Sequence, residues 1–174
     1  MLIRTENPAV VLREWSDGDL DSLVRYANDR LVWRNLTDAF PHPYTPADAA
    51  EWFRRVNTPS VDVLLAIDVA GEAIGTVGYT ARGGHEYHTA HFGYWIGRPH
   101  WGKGITTAAA RALKAHAFAG DRFVRLEAPV YEWNPASMRV LEKCGFVRES
   151  VRRKSVLKDG QLIDEVIYAA IKDT

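Results

Sequence analysis

The residues most suggestive of chemistry form a glycine-rich stretch at positions 96–106, IGRPHWGKGIT. It lies between a strand-like segment and a helix-like one. Glycine lets the backbone approach a ligand closely, and the first turn of a helix carries N–H groups without intrahelical partners. Because the helix dipole also favours negative charge there, the stretch predicts a diphosphate site, to which Lys103 adds a positive charge. A plain glycine turn before a packed helix is the competing interpretation.

Two known phosphate-binding patterns compete for this stretch. Gly97, Gly102 and Lys103 fit the nucleoside triphosphate pattern G-x-x-x-x-G-K, but the following residue should be Ser or Thr to hold magnesium and is Gly104 instead. Residues 99–104, PHWGKG, resemble the coenzyme A pyrophosphate loop Q/R-x-x-G-x-G/A of the GNAT superfamily of N-acetyltransferases, departing from it at the first position. We therefore favour coenzyme A over a nucleoside triphosphate.

A second motif downstream supports the same resemblance. Residues 134–146, NPASMRVLEKCGF, resemble the N-x-x-S-x-x-V-L-E-K-x-G-F stretch of the RimJ/RimL-type branch, which acetylates protein N-termini. YWIG at 94–97 and PHPY at 41–44 also fit that branch. The resemblance covers most of the chain and is strongest over residues 91–146. It implies an acetyl-CoA-dependent N-acetyltransferase, without a metal, that moves the acetyl group by direct attack of a primary amine.

The resemblance also implies where the coenzyme contacts the chain. Backbone groups left free where two strands splay apart would hold the pantetheine arm, and an N–H of Trp95 or a neighbour would polarise the thioester carbonyl. Arg139 and Lys143 either reach the coenzyme 3′-phosphate or form a solvated basic face. The residues expected at the coenzyme are Tyr94, Trp95, Ile96, Trp101, Gly102, Lys103, Gly104, Ile105, Thr106, Asn134, Arg139 and Lys143.

The general base is expected at His91. Amine attack needs a neutral amine, and relatives often carry glutamate in an A-E-I-G-Y stretch, where residues 90–94 here read AHFGY. Histidine accepts a proton near neutral pH, and strand alternation places His91 on one face with Gly93 and Trp95. A half-buried structural histidine and a water-mediated base are the alternatives.

The resemblance to GNAT enzymes also bears on the general acid and on whether the chain uses a nucleophile. Many GNAT enzymes use a tyrosine to protonate the leaving thiolate, but this chain has Leu141 at that place. Ser137 is therefore the candidate donor, with helix capping near Asn134 as its alternative role. Cys144 is interpreted as a packed residue and not a nucleophile, since no Cys/His pair is evident.

The acceptor amine is assigned to a loop rich in aromatic and polar residues, where the branch places its substrate; surface packing is the alternative. This loop contains Trp33, Asn35, Asp38, Phe40, His42 and Tyr44. His85, His88 and His91 would suggest a metal site on a helix, but the stretch reads as turn and strand, so no metal is expected. Because the usual Tyr and Glu are missing, a non-catalytic acyl-CoA-binding or regulatory module remains the rival to an enzyme.

Composition narrows the class of protein. A chain of 174 residues with 22 basic and 22 acidic side chains has no formal net charge, which disfavours nucleic acid or an anionic membrane as the main partner. One cysteine excludes an internal disulfide, and no apolar run is long enough to span a bilayer. The N-terminus does not resemble a signal peptide, so a cytoplasmic protein is expected. The sequence is compatible with a monomer or a homodimer.

The elements that must position these residues alternate between strand and helix patterns. The expected order is β-α-α-β-β-β-α-β-α-β-β, within a single GNAT domain over residues 1–174. Thr45 and Pro46 provide a helix start, and Asp159-Gly160 provides a hairpin turn. The order predicts an α/β (α+β) fold, a mixed and mostly antiparallel sheet of about seven strands flanked by four helices.

Overall fold

The computed structural model describes residues 1–172. Over that part of the chain, the backbone forms one mixed sheet in the order β1-β2-β3-β4-β5-β6-β8-β7. The strands are β1 (Leu2–Arg4), β2 (Val10–Arg13), β3 (Val63–Val69), β4 (Glu72–Ala81), β5 (Thr89–Ile96), β6 (Arg125–Tyr131), β7 (Val147–Lys158) and β8 (Gln161–Ile171). The helices are α1 (Leu20–Ala27), α2 (Arg30–Trp33), α3 (Pro46–Val56), α4 (Ile105–Ala119) and α5 (Pro135–Lys143), and short 3-10 turns lie at Asp17–Asp19, Gly84–Glu86 and Arg98–His100.

The predicted class of fold is confirmed, with two additions to the predicted elements. Strand β1 pairs antiparallel with β2, but three residues are too short for an alternating pattern to be visible in the sequence. Helix α2 occupies part of what we expected to be loop. It is a single turn, capped by the Asp29 carboxylate, which accepts a hydrogen bond from the Leu31 N–H at 2.8 Å.

Two apolar cores lie on opposite faces of this sheet. The larger packs α4 and α5 against it and includes Leu113, Leu126 and Phe92. The smaller packs α1 and α3 on the other face and includes Trp15 and Phe53. Within the described residues, no helix is long and apolar enough to cross a membrane.

Strand β5 separates the two cores and has one edge that is only partly paired. Its pairing with β4 is antiparallel and continues to Ile96. Its pairing with β6 is parallel and, among residues 1–172, ends at His91 opposite Glu127. The two central strands therefore splay apart beyond His91, which leaves one edge of the second half of β5 open next to the glycine stretch.

Candidate active site

The glycine stretch forms a backbone cradle at the start of α4. Gly102 and Gly104 both adopt φ of 75°, in the left-handed region, and Gly104 is the N-cap. A Cβ built on either glycine would meet no heavy atom of the described chain within 4 Å. The first backbone N–H groups of a helix have no partner within the helix. The N–H groups of Ile105 and Thr106 are therefore available for an anion.

The neighbouring side chains stabilise the cradle in different ways. The Trp101 indole N–H donates to the Ile96 carbonyl oxygen at 2.9 Å, which joins the loop to the end of β5. Lys103 is exposed beside the two glycines and contributes positive charge. Arg139 and Lys143 are both exposed on α5, so either of their predicted roles is open to them.

The β4–β5 register shows which backbone groups face the open edge. Arg82 N–H donates to the Thr89 carbonyl at 2.9 Å, and Gly97 N–H donates to the Ile74 carbonyl at 2.8 Å. Backbone direction alternates along an antiparallel pair, so the Trp95 N–H and carbonyl point to β4. Those of Tyr94 and Ile96 point to the open edge. Of the predicted thioester donors, a neighbour of Trp95 therefore fits the register, whereas Trp95 itself is used in the sheet.

A pair of hydroxyl groups links β5 to the start of α5. The Tyr94 hydroxyl donates to the Ser137 carbonyl oxygen at 3.1 Å and lies 3.0 Å from Ser137 Oγ. Asn134 caps the helix, since its Oδ1 accepts the Ser137 N–H at 3.1 Å. The Ser137 hydroxyl is therefore not needed for the cap and can serve another purpose. Burial raises the pKa of the Tyr94 phenol well above its ordinary value, so the phenol stays protonated and can donate.

His91 lies at the apex of the splay within a charged network. Its Nε2 is 3.2 Å from the Arg82 Nε, and Arg82 also pairs with Glu127 and with Glu86. Partial burial and the Arg82 cation lower the pKa of His91. The ring is therefore neutral at pH 7, and this hydrogen bond assigns its proton to Nδ1. For Nε2 to accept a proton from an amine, Arg82 must release it.

Beside His91 lies an open cleft of about 660 Å³ on the side of the sheet that carries α3. Its base is made by cross-strand partners, Thr76 opposite Trp95 and Gly78 opposite Gly93. The Phe40 ring packs over it, with ring centroids 5.4 Å from Trp95 and 5.0 Å from Tyr44. Strand alternation predicts that His91, Gly93 and Trp95 share one face of β5, and in the structure this face lines the cleft.

The predicted acceptor residues divide into two groups. Phe40 and Tyr44 line the cleft. The others have different neighbours: Trp33 packs against His42 at 5.7 Å, and the Asn35 amide donates to the Leu31 carbonyl at 2.9 Å. Trp33, Asn35 and His42 are not among the residues that line the cleft.

Several residues of the cleft were missed by sequence reasoning. Thr76 and Gly78 belong to a strand without a motif, and only the register with β5 brings them to the site. Trp52 lies on α3, and only the packing of that helix over the sheet makes it a wall of the cleft. The coenzyme motif involves only the backbone of Tyr94, so no sequence signal pointed to its hydroxyl.

Two further predictions concern Cys144 and the histidines. Cys144 is buried, its Sγ lies 3.6 Å from the Thr107 carbonyl oxygen, and burial raises the pKa of the thiol. These properties describe a packed thiol and not an activated one. His88 Nδ1 lies 2.7 Å from the Arg122 carbonyl oxygen, whereas His91 contacts Arg82, so the two rings have separate partners. Over residues 1–172, no group of three or more His, Cys, Asp or Glu is arranged to hold a metal ion.

Comparison with known proteins assigns the family. Residues 9–147 match the family described as Acetyltransferase (GNAT) domain. An uncharacterized N-acetyltransferase, p20, from Bacillus licheniformis is 29% identical over 171 residues, covering 94% of this chain and 93% of that protein. The L-amino acid N-acetyltransferase AaaT from Escherichia coli K12 is 25% identical over 165 residues, covering 94% of this chain and 98% of that protein.

A solved structure agrees with this assignment at the level of fold. The RimL ribosomal-protein alpha-N-acetyltransferase in complex with coenzyme A has a TM-score of 0.86 at 18% identity, with 99% of each chain covered. This chain belongs to the GNAT acetyltransferase family and is an N-acetyltransferase.

Proposed function

We propose that this N-acetyltransferase binds acetyl-CoA along the open edge of β5 and transfers the acetyl group directly to a primary amine held in the adjacent cleft. The observation that carries the proposal is the position of β5. Its open edge adjoins the glycine cradle, and its residues Gly93 and Trp95 line the base of the cleft. Coenzyme and amine can therefore approach the same strand from two directions.

The coenzyme is held mainly by backbone groups. The diphosphate binds the amides at residues 102–106, where the open space beside both glycines admits close approach. The pantetheine arm extends the sheet along the open edge of β5 through the backbone of Tyr94 and Ile96. One of their N–H groups polarises the thioester carbonyl, because these amides, unlike that of Trp95, point to the splay.

Proton transfer is assigned to His91 and Ser137. His91 is neutral at pH 7 and takes a proton from the incoming amine once the amine displaces Arg82 from Nε2. Ser137 donates to the departing sulfur. The Tyr94 hydroxyl, which donates to the Ser137 carbonyl oxygen, lies 3.0 Å from Ser137 Oγ and helps to position the serine. The missing tyrosine at Leu141 is thus replaced by a serine and phenol pair.

The acceptor is a primary amine, either of a small molecule or of a protein N-terminus. Both kinds occur among similar proteins, since AaaT is named for L-amino acids and RimL for a ribosomal protein. Phe40 and Tyr44 of the acceptor loop line the cleft that would receive it.

Free-thiol release from acetyl-CoA tests the proposal against a non-catalytic coenzyme-binding module. The purified chain is incubated with acetyl-CoA and a panel of amino acids, peptides with free N-termini, simple alkyl and aromatic amines, and polyamines. We expect thiol release that requires both the chain and an amine, with acetylated amine as the product. If calorimetry shows that acetyl-CoA binds but no amine causes thiol release, the chain is a coenzyme-binding module and the proposed transfer is wrong.

A further inference from the structure

The walls of the cleft are mainly aromatic. Phe40, Tyr44, Trp52 and Trp95 all line it. Burial raises the pKa of Tyr44 to about 12, so its ring remains a neutral phenol at pH 7. Aromatic rings offer large apolar contact area at low cost in conformational entropy. The cleft is therefore suited to an apolar surface on the acceptor.

The base of the cleft is open at one residue. Gly78 and Gly93 face each other across β4 and β5. A Cβ on Gly78 would lie 2.5 Å from the side chain of Leu64, whereas a Cβ on Gly93 would meet no atom of residues 1–172 within 4 Å. Gly93 also lies between His91 and Trp95 on the face of β5 that lines the cleft. It is thus the point at which an acceptor can come closest to the edge that would hold the thioester.

The two acidic side chains that line the cleft already have partners in the described chain. Asp48 Oδ2 accepts from the Thr45 N–H at 2.8 Å and from its hydroxyl at 2.6 Å. Glu51 forms an ion pair with Arg54. These are the two carboxylates that line the cleft within the described chain, and Arg55 adds a positive charge beside them. An acceptor with several positive charges would have to compete with these partners, and it would also meet the Arg55 cation.

Two polar atoms at the cleft have no partner within the described chain. Thr76 is 5% exposed, and neither its Oγ1 nor the Trp52 Nε1 has a hydrogen-bond partner there. Because both atoms are buried, they offer a bound molecule no exposed polar contact, which agrees with an acceptor that is mainly apolar.

We infer that the acceptor is a primary amine on a compact apolar or aromatic body, and that Gly93 limits the size of that body. This inference rests on the proposed acetyl transfer. In the reaction the amine nitrogen forms a bond to the acetyl carbon while the carbon–sulfur bond breaks. The nitrogen loses a proton, and the sulfur leaves as the thiol of coenzyme A. The body contacts the aromatic walls while the amine passes over Gly93.

Three amines test the chemical class. Free-thiol release is measured with phenethylamine, 1,4-diaminobutane and spermidine under identical conditions. We expect kcat/KM for phenethylamine to exceed that of both polyamines by about tenfold to a hundredfold, the range expected for apolar contacts in a pocket. Equal or faster turnover of the polyamines would overturn the inference while leaving the proposed function intact. If amines of every kind fail to release thiol, the proposed function falls, and the inference falls with it.

The role of Gly93 is tested by Gly93→Val. Valine suits a strand, and the added side chain enters open space, so we expect the variant to fold. The KM for phenethylamine should rise about tenfold, while the affinity for acetyl-CoA by calorimetry stays within about twofold of wild type. Gly120→Val is the control, because Gly120 has extended backbone and open space but lies at the end of α4. An unchanged amine KM in folded Gly93→Val would overturn the role of Gly93.

Discussion

The coenzyme side and the acceptor side of β5 are built from different parts of the chain. On the proposed coenzyme side, the groups available for binding are backbone amides at the start of α4 and along the open strand edge. On the acceptor side, they are side chains from α3, the preceding loop and two strands. Backbone binding needs only glycines and a correct fold, whereas side-chain binding depends on residue type. The first should therefore tolerate most substitutions that preserve the backbone, and the second should not.

The largest expected effect is on the acceptor side, at His91. His91→Ala should lower kcat/KM by about 10²–10⁴-fold near neutral pH and leave acetyl-CoA affinity nearly unchanged. The activity lost should return in part at high pH, where the amine loses its proton to solvent. Because the pKa of His91 is lowered, wild type should keep its neutral base as pH falls to about 6.5 and lose it only below that value.

The pH profiles of kcat/KM for wild type and His91→Ala provide this test. His85→Ala is a suitable control, since His85 is an exposed residue of the same segment outside the cleft. If His91→Ala retains the wild-type profile, the base is a water molecule or another group. His91 would then be a structural histidine held by Arg82.

A smaller effect is expected on the coenzyme side, at Gly104. Gly104→Val places a side chain where the diphosphate should approach, and it should weaken acetyl-CoA binding about tenfold to a hundredfold, equivalent to the loss of ~1.5–3 kcal/mol for a hydrogen bond to a charged group. Valine is also strained at positive φ. Gly71→Val carries similar strain, with φ of 87° and open space, at the turn between β3 and β4.

Calorimetry with acetyl-CoA separates obstruction of the diphosphate from backbone strain. Both valine variants should lose similar thermal stability, but only Gly104→Val should lose affinity. Equal affinities in the two folded variants would show that the diphosphate does not bind at this loop.

The smallest effect is expected where the β7–β8 hairpin contacts the acceptor loop. The Lys158 side chain is 1% exposed, its Nζ lies 2.8 Å from Asp38 Oδ1, and it sits 3.9 Å from the centre of the Trp33 ring. Lys158→Met keeps the apolar stem and removes this link, so the loop that carries Phe40 should be held less firmly. The amine KM should rise by about threefold, because an ion pair with an exposed partner usually contributes no more than about 1 kcal/mol. The affinity for acetyl-CoA should not change.

Lys172→Met is the control for this prediction. Lys172 Nζ is 3.7 Å from Asp121 Oδ1, at the end of the chain beyond β8. If both lysine variants shift the amine KM equally, the effect is one of overall charge and not of the loop.

The same contrast explains how much of the site could be predicted. The glycine loop, Asn134 and Ser137 lie within short motifs, and the structure places the loop at the start of α4 and the other two at the start of α5. On the acceptor side, the PHPY motif contributes Tyr44, but most of the lining belongs to no motif. Gly93 becomes important only because β4 places Gly78 opposite it, and Trp52 only because α3 packs on that face. Strand register and helix packing depend on residues far apart in the chain, so they cannot be read from local patterns in a single sequence.

The sequence predicted most of the fold for a related reason. Turn residues such as Asp159-Gly160 and the Thr45 cap act locally, and the structure contains both features. The short pieces β1 and α2 lack such signals. The direction of the Trp95 backbone could not be predicted either, because it depends on which β5 residues share hydrogen bonds with β4.

In the proposed direct transfer, coenzyme and amine approach one strand from two directions and are both bound before the acetyl group moves. Initial rates with acetyl-CoA and one good amine, each varied at several fixed concentrations of the other, test this directly. We expect double-reciprocal lines that intersect, because the amine attacks the thioester within a ternary complex and the buried thiol of Cys144 takes no part. Parallel lines, together with an acetylated enzyme formed in the absence of amine, would contradict direct transfer.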